Sequence, residues 1–170
     1  MPLYLPIQPG IKGTALFAGA RKQYRYRLTR LWDSTRPTIL FVMMNPSVAD
    51  SHQDDRTVRR AIAFAKSWNY GQLLVGNVFA YRCTDQKRLL GTRDPVGKEN
   101  DRHLLEMAEL AEMIVFAYGR PHATLRSRGL QVAEDFRAAG YKLHTLRLSK
   151  DGTPVHPLYL PGDLKPFPWK

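Results

Sequence analysis

Thr38-Ile39-Leu40-Phe41-Val42-Met43 is an uninterrupted, essentially apolar run that stops abruptly at Met44-Asn45-Pro46-Ser47. A strand with one wet face alternates polar and apolar residues, so a run without alternation predicts a strand covered on both faces, as in parallel sheets. Outward from it, Val58, Ala61, Ile62, Ala65 and Trp68 recur at helical spacing, with Asp54 or Asp55 placed to cap the start and Asn69-Tyr70-Gly71 to close the end. A second buried-strand pattern follows at Gln72–Val78. After a long polar loop, a helix is predicted from Asn100-Asp101, carrying Leu104, Leu105, Ala108 and Ala111. Met113–Ala117 reads as a third strand, stopped by Gly119. Pro121 suits the first turn of a further helix through Leu125, Val132, Ala133 and Phe136, and a fourth strand is expected at about Lys142 to Leu148.

Strands alternating with helices imply right-handed crossovers. The expected fold is α/β: a three-layer α/β/α arrangement around a central four-stranded, mostly parallel sheet. An amino-terminal antiparallel hairpin is added by residues 13–18 and 22–32, where Tyr24, Tyr26 and Leu28 alternate with Arg25 and Arg27, and Arg30 ends the run. With no repeat, low-complexity run or linker, residues 1–170 are expected to form a single domain.

Composition narrows the function. Lys and Arg total 26 against 15 Asp and Glu, a formal charge of +11, which points to a phosphate-rich partner, nucleic acid or a nucleotide. The single Cys83 excludes an internal disulfide, and no zinc-type Cys/His spacing occurs. The proline-broken start MPLYLPIQPGIKG does not read as a signal peptide, and no stretch is apolar for long enough to span a membrane. A cytoplasmic protein is therefore expected; the sequence identifies no protein partner.

In open α/β sheets ligands bind beyond the carboxyl ends of the strands, which singles out Asn45, Asn77, Gly119 and His156. Pro46 forces Asn45 out of the helical region and aims its amide, with Ser47 beside it, although Asn-Pro is also a common turn initiator. Asn77 offers donors and an acceptor suited to the edge of a nucleobase. Asp50, Asp54 and Asp55 form an acidic island able to activate water or, in an alternative reading, to hold magnesium; helix capping accounts for one of them. Arg59 can project toward phosphate. In the long loop from Phe79 to Pro95, Phe79 and Arg82 offer stacking and charge. Cys83 reads as an ordinary buried thiol. Lys150 lies in a turn before His156-Pro157-Leu158-Tyr159, where His156 is the strongest acid or hydrogen-bond donor candidate and Tyr159 sits nearby.

Met43-Met44-Asn45-Pro46-Ser47, the Leu74-Val75-Gly76-Asn77 strand end, Ala117-Tyr118-Gly119 and His156-Pro157 resemble the motif series of the uracil-DNA glycosylase superfamily. The blocks NPSVAD, DDRTVRR, NVFAYR, DPVGKEND and HPLYL resemble, more specifically, an uncharacterised bacterial family, domain of unknown function 1643. The glycosylase resemblance implies that Asn45 positions the attacking water, that Asn77 reads a flipped pyrimidine, and that His156 stabilises charge on the departing base. Met43 stands where that pattern has glycine, and Leu158 where it has serine. Three functions are carried forward: an N-glycosidic hydrolase, catalytic through Asn45 and His156 with Asp55; a non-catalytic nucleic-acid-binding module; and a metal-assisted nucleotide or phosphoester hydrolase using the aspartates.

Overall fold

The computed structural model describes residues 4–170. Its strands are β1 (Leu5–Pro6), β2 (Lys12–Ala18), β3 (Tyr24–Leu31), β4 (Thr38–Met43), β5 (Gln53–Asp54), β6 (Gln72–Asn77), β7 (Met113–Phe116), β8 (His144–Thr145) and β9 (Phe167–Pro168). The α-helices are α1 (Arg56–Ser67), α2 (Lys87–Leu90), α3 (Asn100–Leu110) and α4 (Arg126–Ala138). Short 3₁₀ turns occur at Ala123–Leu125 and Pro157–Tyr159.

The sheet is mixed and seven-stranded, in the order β2-β3-β6-β4-β7-β8-β9, with β1 and β5 forming a separate antiparallel pair. Strands β6, β4, β7 and β8 run parallel to their neighbours in that series. The hairpin β2-β3 extends the sheet antiparallel on β6, and β9 closes it antiparallel on β8. The expectation of a four-stranded, mostly parallel sheet is thus corrected: the hairpin joins the sheet itself, and a proline-containing carboxyl-terminal strand covers the other edge.

Both faces of β4 are buried because helices cover both. Ile39, Phe41 and Met43 pack with Val58, Ala61, Ile62 and Ala65 of α1, whereas Leu40 and Val42 pack with Leu104 and Met107 of α3 and Val132 and Phe136 of α4. This alternation explains why β4 carries no polar face. Gly76 lets α3 lie close on β6: a Cβ there would stand 2.6 Å from Leu104 Cδ2. Helix α1 starts where expected, with the Asp55 carboxylate accepting the Val58 N–H at 2.8 Å.

Three local expectations are corrected. Pro121 precedes a 3₁₀ turn rather than opening a helix, so α4 begins only at Arg126. The fourth parallel strand is two residues long, because the chain beyond it turns back through a bridge between Leu148 and Pro154. Alternation also fails in β3. Phe17 pairs with Arg25 and Leu16 with Arg27, so Tyr26 is a bulged extra residue. Across this bulge Tyr26 and Arg27 reach His103 of α3, while Arg25, Leu28 and Arg30 are all buried toward the other side.

Arg30 and Asp54 are both fully buried and paired at 2.8 Å, and Arg59 closes on the second oxygen of Asp54 at 2.9 Å. Removing one partner of such a pair strands a buried charge. Asp54→Ala is therefore expected to cost about 3–5 kcal/mol, and Asp55→Ala, which removes a cap, about 1 kcal/mol; urea denaturation of the two variants checks that order.

Candidate active site

The parallel strands follow the chain order second, first, third, fourth across the sheet, so connections leave β4 in opposite directions and a crevice opens between the ends of β4 and β7. There the chain forms a half-open cleft of about 770 Å³, the size of a small-molecule site. Its lining contains Asn45, Pro46, Ser47, Asp55, Asn77, Gly119, His156 and Tyr159, all singled out from the sequence.

Asn45 is fixed by the loop opposite. Its Nδ2 donates to the Cys83 carbonyl at 2.8 Å, and the Cys83 N–H returns to the Pro46 carbonyl at 2.9 Å. With the amide nitrogen so held, Oδ1 is the atom Asn45 has left to offer. Asn77 is positioned from behind: Asn100 Nδ2 binds its carbonyl at 2.8 Å, and Arg128 Nε binds the next carbonyl, of Val78, at 2.9 Å. Its own Oδ1 accepts from Arg25 Nη2 at 3.2 Å. Asn77 therefore presents donors, which match a carbonyl or an anionic oxygen rather than a pyrimidine N–H.

His156 follows a turn that is hydrogen-bonded within itself. The Ser149 hydroxyl first, then Thr153, whose N–H donates at 3.1 Å, and last the pairing with Arg126 hold the Asp151 carboxyl well below the usual range. The Gly119 N–H meets the Pro154 carbonyl at 3.0 Å. Gly119 has φ +77°, and a Cβ there would lie 3.1 Å from His156 Cβ, so glycine serves both backbone and contact. His156 Nδ1 accepts the Leu158 N–H at 3.2 Å, which puts the ring proton on Nε2. Burial pushes the imidazole below its ordinary pKa, and the Asp55 carboxylate pulls it back only in part. His156 is thus a neutral Nε2–H donor at pH 7.

The acidic island divides. Only Asp55 lines the cleft; its Oδ1 caps α1, and among the described residues no protein donor reaches Oδ2. Asp54 is taken up by Arg30 and Arg59, and Asp50 by the backbone N–H groups of His52 and Gln53. Among the described residues no three His, Cys, Asp or Glu side chains are grouped to hold a metal.

Other candidates lie outside the cleft. Arg59 also donates to the Pro6 carbonyl, Phe79 is core, and Lys150 is exposed in its turn. Arg82 donates to the Lys22 carbonyl at 3.0 Å and lies 4.6 Å from the Phe17 ring centroid. The first part of the long loop is an added edge on β3, with the Arg25 N–H bound to the Ala80 carbonyl at 2.9 Å and Tyr24 bridged to Tyr81.

Sequence reading missed Arg25, Thr57, Gln86, Tyr118 and Arg120, which also line the cleft. Arg25 was hidden by the bulge; Arg120 follows a strand-end glycine and was legible by position. Cys83 lines the cleft with its thiol pushed up by burial.

The fold and cleft define an α/β protein with an open cleft at the reversal of strand order. Within that class, the family described as protein of unknown function (DUF1643) matches residues 25–158, and the chain belongs to it. No curated protein and no solved structure matches the chain. Among the described residues no helix is long and apolar enough to cross a membrane.

Long-range ¹⁵N spectra are expected to show the Nε2–H tautomer of His156 at pH 7 and a midpoint below about 6.5. The folded state then binds fewer protons than the unfolded one, so the contribution of His156 to stability is complete above about pH 6.5 and lost as pH falls through the folded pKa. A midpoint above 6.5 would contradict the burial of a neutral ring.

Proposed function

We propose that the cleft binds a nucleobase, in nucleic acid or in a nucleotide, and hydrolyses its N-glycosidic bond. The observation that carries the reading is His156, a neutral donor whose tautomer is set by the Leu158 N–H, in one cleft with Asp55 and Asn45. The finer fold assignment goes with it: three layers around four central parallel strands accord with a uracil-DNA glycosylase-like core.

The chemistry divides between the side chains. Water attacks the anomeric carbon as the carbon–nitrogen bond breaks and its electron pair leaves with the base. Asn45 Oδ1 accepts a hydrogen bond from that water and orients it; an amide cannot take its proton, so Asp55 Oδ2 does. His156 Nε2–H donates to the base atom that gains negative charge, an interaction stronger in the transition state than before it. The exposed Arg56 and Arg120 at the rim meet phosphates, and Tyr159, 80% exposed, offers a stacking face.

Met43, which is among the cleft-lining residues and stands where the glycosylase pattern has glycine, favours a second reading, a pocket that binds a base without cleaving it. The readings separate on release of free base from oligonucleotides and nucleotides carrying uracil, hypoxanthine, oxidised or alkylated bases. Hydrolysis is expected in the wild type, with losses of about 10²–10⁴-fold in Asn45→Ala and His156→Ala. Undiminished cleavage by both variants would sink the assignment, and salt-sensitive binding without product would establish the binding module.

A further inference from the structure

Three arginines are buried in this fold, and they are not treated alike. Arg30 pairs with Asp54, and Arg128 with Asp101. Arg25, 3% exposed, has no carboxylate within ion-pair distance among the described residues, and it is the one of the three that lines the cleft. A guanidinium carries five donors. Two of Arg25's meet neutral acceptors, the Ala49 carbonyl at 2.9 Å and Asn77 Oδ1 at 3.2 Å, while Nε has no partner among the described residues.

A buried charge normally recruits a counter-charge, because desolvation without compensation is costly. Here the fold supplies none in contact. Burial pushes the guanidinium down to about 10, still charged at neutral pH, and Asp55 opposes that shift from beyond contact. The β3 bulge turns Arg25 inward, a device common beside functional sites. Asn77, its acceptor occupied by Arg25, adds only donors to the same floor.

We propose that Arg25 and Asn77 form an oxyanion subsite at the floor of the cleft, which takes a carboxylate or phosphate group of the ligand. The inference rests on reading the cleft as a ligand site and deepens it by placing an anionic group of the ligand at the cleft floor, so that a neutral nucleoside alone is the weaker ligand. Phosphate would arrive as part of a nucleotide; a carboxylate would arrive on the base itself. A guanidinium matches either oxyanion with parallel N–H···O bonds.

The test is thermal shift and calorimetry of the full chain with inorganic phosphate, acetate, a pyrimidine nucleoside, its 5′-monophosphate and a pyrimidine carboxylate, at constant ionic strength set with chloride. Saturable stabilisation by phosphate or acetate is expected, as is tighter binding of the corresponding anionic pyrimidine than of the nucleoside. Arg25→Gln is expected to weaken anion binding about tenfold or more, whereas exposed Arg93→Ala leaves it unchanged. No saturable anion effect in the wild type, or one that survives Arg25→Gln, would overturn the subsite. Should Arg25→Gln not fold, amide shifts in the wild type decide: phosphate-induced changes at Ala49, Asn77 and Tyr118 support the subsite, and changes confined elsewhere overturn it. Nucleoside binding that gains nothing from an anionic group defeats this inference alone; anion binding without any pyrimidine binding defeats the nucleobase reading alone.

Discussion

Everything at the cleft depends on the position of β4 between β6 and β7. Because the chain leaves β4 toward β6 and later returns past it to β7, the connections part above its carboxyl end and leave backbone and side chains uncovered there. The price is a strand buried on both faces, met by the apolar run Thr38–Met43 with α1 on one side and α3 and α4 on the other. Three of the cleft residues are then held by neighbours distant in sequence: Asn45 by Cys83, Asn77 by Asn100, and His156 by Gly119.

This arrangement gives the cleft a chemical bias. Its lining carries Arg25, Arg56 and Arg120 against the single carboxylate of Asp55, while His156 and Asn77 present donors. Such a surface stabilises electron-rich oxygen. Asp55 is the exception able to accept a proton, and the same carboxylate caps α1, so α1 fixes the base candidate with respect to the cleft.

The central strands were legible in the sequence because burial on both faces removes alternation, and the strand-end rule then located Asn45, Asn77, Gly119 and His156. What escaped depended on contacts distant in sequence. Nothing in Asp54-Asp55 says that the first carboxylate turns inward to Arg30 and the second toward the cleft; their extended backbone sends neighbouring side chains to opposite sides. Arg25 escaped because alternation was extended through a bulge whose only trace is the pairing with β2. The length of their loop points Phe79 and Arg82 toward a ligand, yet that loop begins by pairing with β3 and packing against Phe17. The fourth parallel strand was overextended because Leu146 and Leu148 are apolar for reasons of core packing, not strand pairing.

The central claim is that one cleft holds a base beside His156 with its anionic group on Arg25. Crystals grown with a pyrimidine nucleoside 5′-monophosphate test it directly. The account predicts electron density for the base within hydrogen-bond distance of His156 Nε2 and an oxyanion on Arg25 and Asn77. Density for the nucleotide at another surface, with the cleft holding only solvent, would contradict it.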